Sequence, residues 1–191
     1  MKLLTSLGLV ICLCKISPVN AYERSDSSVH THGEVIFNVL KTKYRLQVLI
    51  KAPGMDVVGF ENAPKTKDQI NAFTRVLNVF KHPPKVINLS QSAGCKLTNQ
   101  RLVHSLAPDK EVSRNYETNQ TLPQQQTSRK KSHSEFLVEY SFLCKKTNRL
   151  NTMHIHWFKP FPFTKTITVN ISTEQGQSSH KLFKNDPIIN F

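Results

Sequence analysis

The stretch EFLVEYSFLC, residues Glu135 to Cys144, decides the fold class of this chain. Successive side chains of an extended chain point to opposite faces, so alternation of apolar and other residues is typical of a strand with one buried face. The alternation predicts that this buried face carries Phe136, Val138, Tyr140, Phe142 and Cys144. The Cys144 sulfur is therefore expected in the core, together with aromatic side chains.

Weaker patterns predict further strands and one helix around this strand. A helix is predicted over 66–81, because Thr66 and Gln69 have the form of a capping box. Its apolar stripe must be buried on a sheet, and it consists of Ile70, Phe73, Val76, Leu77 and Phe80. Strands are predicted at 34–40, 44–51, 86–89, 96–103, 153–158, 165–172 and 179–183, and residues 52–54 are expected to break the second of them. The expected fold class is α+β, a mainly antiparallel sheet with one amphipathic helix packed on it.

The first 21 residues predict a signal peptide. Lys2 gives a positive start, residues 3–13 form an apolar run, and small side chains allow cleavage after Ala21. The apolar run is shorter than the roughly 20 residues that span a bilayer, so we expect export without a membrane span. Residues 22–191 then form a single domain of about 170 residues.

Cleavage removes Cys12 and Cys14 and leaves Cys95 and Cys144. Two cysteines in an oxidising compartment usually pair, so a disulfide between Cys95 and Cys144 is predicted, with two free buried thiols as the alternative. The segment between them changes composition at His104, becoming rich in Gln, Ser, Thr, Asn and Lys with almost no apolar residue after Leu106. Such a segment buries too little to offset its ordering entropy, which predicts a mobile loop at about 105–132.

The formal net charge is +13, and loss of the signal peptide, with Lys2 and Lys15, lowers it to +11. A basic surface favours polyanions such as nucleic acid, anionic lipid or glycan. The basic residues are scattered, however, and the aromatic-basic interleaving typical of single-strand binding is missing from the sequence. We therefore expect a solvated basic surface and no nucleic-acid partner.

No catalytic arrangement is recognisable in the sequence. Residues 92–95 lack the flanking glycine and strand-to-helix setting of a nucleophile elbow, and no glycine-rich phosphate loop is present. Asp56 and Glu61 have no glycosidase-like pairing. The chain is therefore not expected to be an enzyme.

Two histidines separated by one residue, His30 and His32, precede the first predicted strand. In an extended chain they share a face, with alpha carbons roughly 6.6 Å apart, and both rings can bind one ion at about 2.0–2.1 Å. His133 precedes the strand 135–144 in the same way. If the two strands are neighbours, three imidazoles converge, and Glu34 or Glu135 could add a fourth ligand or a hydrogen-bond partner.

Three protein ligands suit zinc, although imidazole sites also suit copper and nickel. A chance pair is the alternative for His30 and His32, since the chain has eight histidines. A second such pair, His154 and His156, is interpreted as two exposed residues of a strand.

Several motifs together resemble the ZrgA-like zinc uptake family of Gram-negative bacteria, and the resemblance extends over nearly all of the chain after the signal peptide. The segment at 59–66 is the most specific, because it is long and has no generic structural reason to recur. The motifs are His30-Thr31-His32-Gly33-Glu34, Gly59-Phe60-Glu61-Asn62-Ala63-Pro64-Lys65-Thr66, Ala93-Gly94-Cys95, His133-Ser134-Glu135-Phe136 with Tyr140 and Cys144, Phe158-Lys159-Pro160-Phe161-Pro162 and Gly176-Gln177-Ser178.

The resemblance implies a periplasmic protein that binds Zn2+ as cargo and assists zinc acquisition. Its partners would be a periplasmic zinc-binding protein or an inner-membrane zinc ABC importer. The implied ligands are His30, His32 and His133, and weaker candidates are Glu34, Glu135 and His104.

One departure from the family concerns the loop. Many members have His and Asp runs there, whereas this loop has only His104 and His133 at its ends, so one or few zinc sites are expected. The alternative function is a non-metal exported adaptor, whose basic surface binds anionic envelope components or a partner protein.

Overall fold

A computed structural model of the chain describes residues 32–106 and 133–191. The predicted signal peptide, His30 and most of the predicted loop at 105–132 lie outside these residues. The helices are α1 (Gly54–Val58) and α2 (Lys67–Phe80), and short 3-10 turns lie at Pro83–Lys85, Gln91–Ala93 and Thr147–Arg149. The strands are β1 (Glu34–Lys41), β2 (Arg45–Pro53), β3 (Ile87–Leu89), β4 (Cys95–His104), β5 (Glu135–Cys144), β6 (Thr152–Ile155), β7 (Thr166–Thr173), β8 (Gly176–Leu182) and β9 (Ile188–Asn190).

The strands form two sheets. The larger has six strands in the order β4-β5-β2-β1-β7-β8, and the smaller has three in the order β3-β6-β9. Every pairing is antiparallel except that of β1 with β7. This arrangement, with α2 as the one long helix of the described residues, confirms the predicted α+β class.

Strand β5 is central to the core, as its alternation predicts. It pairs with β2 on one side and β4 on the other. All five residues of the predicted face are buried. The hydroxyl of Tyr140 donates to the carbonyl of Phe80 at 2.8 Å and joins the sheet to the end of α2. Burial raises the pKa of Tyr140 far above its ordinary value, so this hydroxyl stays a donor.

The predicted capping box is present at the start of α2. The Thr66 hydroxyl accepts from the Gln69 N–H at 3.2 Å, and the Gln69 side chain accepts from the Thr66 N–H at 3.2 Å. The apolar stripe is buried at Val76 and Phe80, whereas Ile70 in the first turns is 50% exposed. The helix therefore packs on the sheet through its C-terminal half.

Several local predictions differ from the structure. The strand predicted at 153–158 ends at Ile155. Residues 52 and 53 do not break β2 but end it, and Gly54 begins α1, which was not predicted. Strand β9 was also missed. Elements of five and three residues are too short to show a hydrophobic period.

The predicted disulfide is present between Cys95 and Cys144, which are direct partners of β4 and β5. The bond joins the edge strand β4 to β5 at the C-terminal end of β5. His133 lies at the other end of the strand, just before its first residue. In the described ranges, no helix has the length and apolar character needed to cross a membrane.

Candidate metal site

His32 and His133 meet at one end of the larger sheet. His32 lies two residues before β1, and His133 lies two residues before β5. The prediction assumed that these strands are neighbours, but β2 lies between them. Because both are antiparallel to β2, they begin at the same end, about 10 Å apart at 4.7–4.9 Å per strand spacing. The side chains close this gap, with ring centroids 5.2 Å apart at an interplanar angle of 87°.

Glu61 adds a carboxylate to the two imidazoles. Its Oε1 lies 3.7 Å from His32 Nδ1 and 4.0 Å from His133 Nδ1. One ligand atom from each of the three residues lies within 4.8 Å of the others. Four ligands at about 2.0–2.1 Å around a tetrahedral zinc ion are roughly 3.3 Å apart. Small side-chain rotations therefore suffice to bring the three groups onto one ion.

The two oxygens of Glu61 have different environments. Oε2 accepts from the backbone N–H of Ser134 at 2.7 Å and from its hydroxyl at 2.8 Å. Oε1 is buried and has no hydrogen-bond partner among the described residues. Buried acceptors are nearly always paired, so an orphaned carboxylate oxygen facing two imidazoles fits a cation site.

Ser134 is fixed in turn by the start of α1. It is 2% exposed, and its carbonyl accepts from the Gly54 N–H at 2.7 Å. A Cβ added at Gly54 would lie 1.8 Å from the Ser134 hydroxyl, so only glycine allows this approach. The contact fixes the backbone next to His133.

Gly33 is fixed from both sides next to His32. Its N–H lies 2.8 and 2.9 Å from the two carboxylate oxygens of Asp56, and its carbonyl accepts from the N–H groups of Lys165 and Thr166 at 2.8 and 3.0 Å. Its φ of +88° is a conformation that glycine adopts readily. These contacts determine where the His32 side chain leaves the backbone.

Asp56 places a second carboxylate beneath the site. It is 2% exposed, and burial raises its pKa above the ordinary value of 3.8, against the lowering effects of the Gly33 N–H, His32 and Lys165. Both of its oxygens face Gly33, so it acts on the site through the backbone and through its charge. Its negative charge favours a cation at the neighbouring imidazoles.

The remaining predicted ligands within the described residues are not members of this group. Glu34 accepts a hydrogen bond from the Thr168 hydroxyl at 2.7 Å, and Glu135 begins β5. His104 packs against Phe73 and Phe136, with ring centroids 4.9 and 5.7 Å apart, and burial lowers its pKa. None of the three belongs to the described group of His32, Glu61 and His133. Their assignment as ligands stays a prediction, as does that of His30 outside the described residues.

His154 and His156 are both exposed, as predicted, while Met153, Ile155 and Trp157 are buried. Only His154 lies in a strand, however, because β6 ends at Ile155. The sequence prediction did not include Glu61 among the ligands. The usable signal was its position inside the segment 59–66, which is long, specific and without a generic structural reason to recur.

The site is open to solvent. The side chains of His32 and His133 are 49% and 53% exposed, and that of Glu61 is 22% exposed. An ion bound here can therefore enter and leave without a large rearrangement. The arrangement is suited to reversible binding of a borderline cation by two nitrogens and one oxygen.

Comparison with known proteins identifies the family of the chain. A family profile described as ZrgA family zinc uptake protein matches residues 29–191. No curated protein matches the sequence. The matched range includes His30, His32, Glu61 and His133.

Proposed function

Since this chain belongs to the ZrgA family of zinc uptake proteins, we propose that it binds a zinc ion as cargo between His32, Glu61 and His133. The observation that supports this most directly is the buried Glu61 Oε1, which faces two imidazoles and lacks a hydrogen-bond partner among the described residues. Two neutral imidazoles and one carboxylate are an established zinc ligand set with a fourth position open. His30 is the sequence-based candidate for that position.

The protein acts in zinc acquisition and has no catalytic role in this proposal. The exposed imidazoles of His32 and His133 support transfer of zinc to a partner protein. The partner class is a periplasmic zinc-binding protein or an inner-membrane zinc ABC importer. The predicted signal peptide and the Cys95–Cys144 disulfide support a periplasmic location.

Competition with a chromogenic zinc chelator tests the ligand set. Loss of a group outside the ligand shell typically weakens metal binding 10- to 100-fold, so Glu61→Gln should weaken zinc binding by at least about tenfold. Glu174→Gln is the matched control, because that carboxylate accepts from the Lys43 N–H and lies outside the group. His32→Ala with His133→Ala should abolish competition, and His180→Ala, an exposed histidine of β8, should leave it unchanged.

The possible outcomes separate the site from the function. Wild-type protein that fails to compete at micromolar zinc would reject zinc binding and favour the non-metal adaptor. If the His32→Ala/His133→Ala variant bound zinc as tightly as the wild type, the protein would still be a zinc-binding protein, but this site would be rejected. A loss of zinc affinity in the single variant His30→Ala would identify His30 as the fourth ligand. Metal analysis of protein isolated from zinc-limited cells distinguishes zinc from copper and nickel.

A further inference from the structure

A cavity of about 670 Å³ lies away from the candidate metal site, where the end of α2 meets the smaller sheet. It shares no lining residue with the group of His32, Glu61 and His133. Its volume falls within the range of about 300–1,000 Å³ typical of small-molecule sites. The proposed zinc binding does not involve this cavity.

The walls of the cavity are apolar. They are formed by Val79, Pro84, Ile155, Phe158, Pro160 and Pro187. Three of these six residues are prolines, which have no backbone N–H to offer an added peptide strand. The walls therefore suit an apolar group of a compact ligand better than an extended peptide.

The polar residues that line the cavity are basic. Lys85, Lys159 and Lys184 come from three separate segments, and His156 lies beside them with its Nε2 3.1 Å from the Asn88 amide nitrogen. None of the described lining residues is acidic. Within the described ranges none of the three lysines forms an ion pair, and Lys184 has only a 3.4 Å contact with the Pro162 carbonyl.

We propose that this cavity binds a small amphipathic carboxylate, with its apolar part against Phe158 and the prolines and its carboxylate between the lysines. Three ammonium groups that form no ion pair within the described residues surround an apolar surface, and they are complementary to one anionic head on an apolar body. A cation or a neutral molecule of the same shape lacks this complementarity. The inference is independent of zinc binding, because it uses no residue of the metal site.

Calorimetric titration of the purified protein with 2-naphthoate, and with 2-naphthamide as the uncharged analogue, tests this assignment. The carboxylate should bind about tenfold more tightly than the amide. Lys159→Ala and Lys85→Ala should each weaken naphthoate binding by about three- to fivefold, as expected for exposed charge pairs, and leave the amide unchanged. Lys181→Ala, an exposed lysine of β8, is the control and should change neither.

Two further measurements complete the test. Lys159→Glu should remove the preference for the carboxylate, and Glu61→Gln should leave naphthoate binding intact whatever it does to zinc. Equal binding of amide and carboxylate, or no binding at millimolar probe, would overturn the proposal. Sedimentation showing a dimer that Phe158→Ala dissociates would assign the cavity to a second copy and also overturn it.

Discussion

Glu61 and Ser134 are joined through a single carboxylate oxygen. Oε2 of Glu61 accepts from both the backbone N–H and the hydroxyl of Ser134, at 2.7 and 2.8 Å. The other oxygen is thereby directed toward His32 and His133. One residue pair thus orients the carboxylate and connects it to the segment that contains His133.

Removing the Ser134 hydroxyl should weaken zinc binding without removing a ligand. In Ser134→Ala, Glu61 keeps the backbone hydrogen bond but loses the one from Oγ, so the carboxylate is less well oriented. We expect a loss of about tenfold in zinc affinity, measured by chelator competition. Ser105→Ala is the control, because its hydroxyl accepts from the Glu135 N–H close by but does not touch Glu61. Equal losses in the two variants would show that Ser134 has no specific effect.

Gly33→Ala should disturb the position of His32. The backbone there has φ +88°, and an added Cβ would lie 3.1 Å from the Lys165 side chain. We expect a stability loss of about 1–2 kcal/mol, the typical cost of the left-handed conformation, together with at least about tenfold weaker zinc binding. Gly176→Ala is the control that separates the effect of backbone strain from the effect of the His32 position. Gly176 also has positive φ but has open space around it. Its zinc affinity should match that of the wild type.

Zinc should stabilise the folded protein, because the ligands come from three separated parts of the chain. At a free zinc concentration 100 times the dissociation constant, the free energy of unfolding should rise by about 2.7 kcal/mol. Thermal unfolding with zinc, and again after addition of EDTA, measures this shift. The shift should vanish in the His32→Ala/His133→Ala variant. A persistent shift there would mean that zinc binds elsewhere.

His104 should make the stability of the metal-free protein depend on pH. Burial lowers its pKa in the folded state below the ordinary value of 6.5, so above that pH the ring is neutral in both states. As the pH falls below 6.5, the unfolded chain takes up the proton first, and the free energy of unfolding decreases until the pH passes the folded-state pKa.

Urea unfolding at pH 7.5 and pH 5.0 with EDTA present tests this dependence. His104→Phe retains an aromatic ring against Phe73 and Phe136 and should lose less stability on acidification than the wild type. His180→Phe, at an exposed position, should behave as the wild type. An unchanged pH dependence in His104→Phe would contradict the expectation.

The Phe80 carbonyl should tolerate the loss of one donor better than the loss of two. It accepts from the Tyr140 hydroxyl at 2.8 Å and from the Gln100 side chain at 2.9 Å. Tyr140→Phe and Gln100→Ala should each cost about 0.5–1.5 kcal/mol. The double variant should cost more than the sum, by about 0.5 kcal/mol or more, because only then is the carbonyl left without these donors. Strict additivity in urea unfolding would show that the two bonds are independent.

The sequence by itself determined the fold class, the long helix and the disulfide. Each has a local pattern: the alternation in β5 predicts its buried face, Thr66 and Gln69 predict the start of α2, and two cysteines lie outside the predicted signal peptide. It also indicated His32 and His133, because imidazoles at strand starts are visible in a linear chain. Elements as short as α1 and β9 have no such period and were missed.

Only the tertiary structure decided which groups meet. His32 and His133 approach each other across the end of β2, although their strands are not neighbours. Glu61 joins them because Ser134 fixes its orientation, a contact between residues 73 positions apart in the chain. Glu34, which stands closer to His32 in sequence, bonds Thr168 instead. A linear pattern records which side chains are available, but chain crossing and hydrogen bonding determine which of them converge.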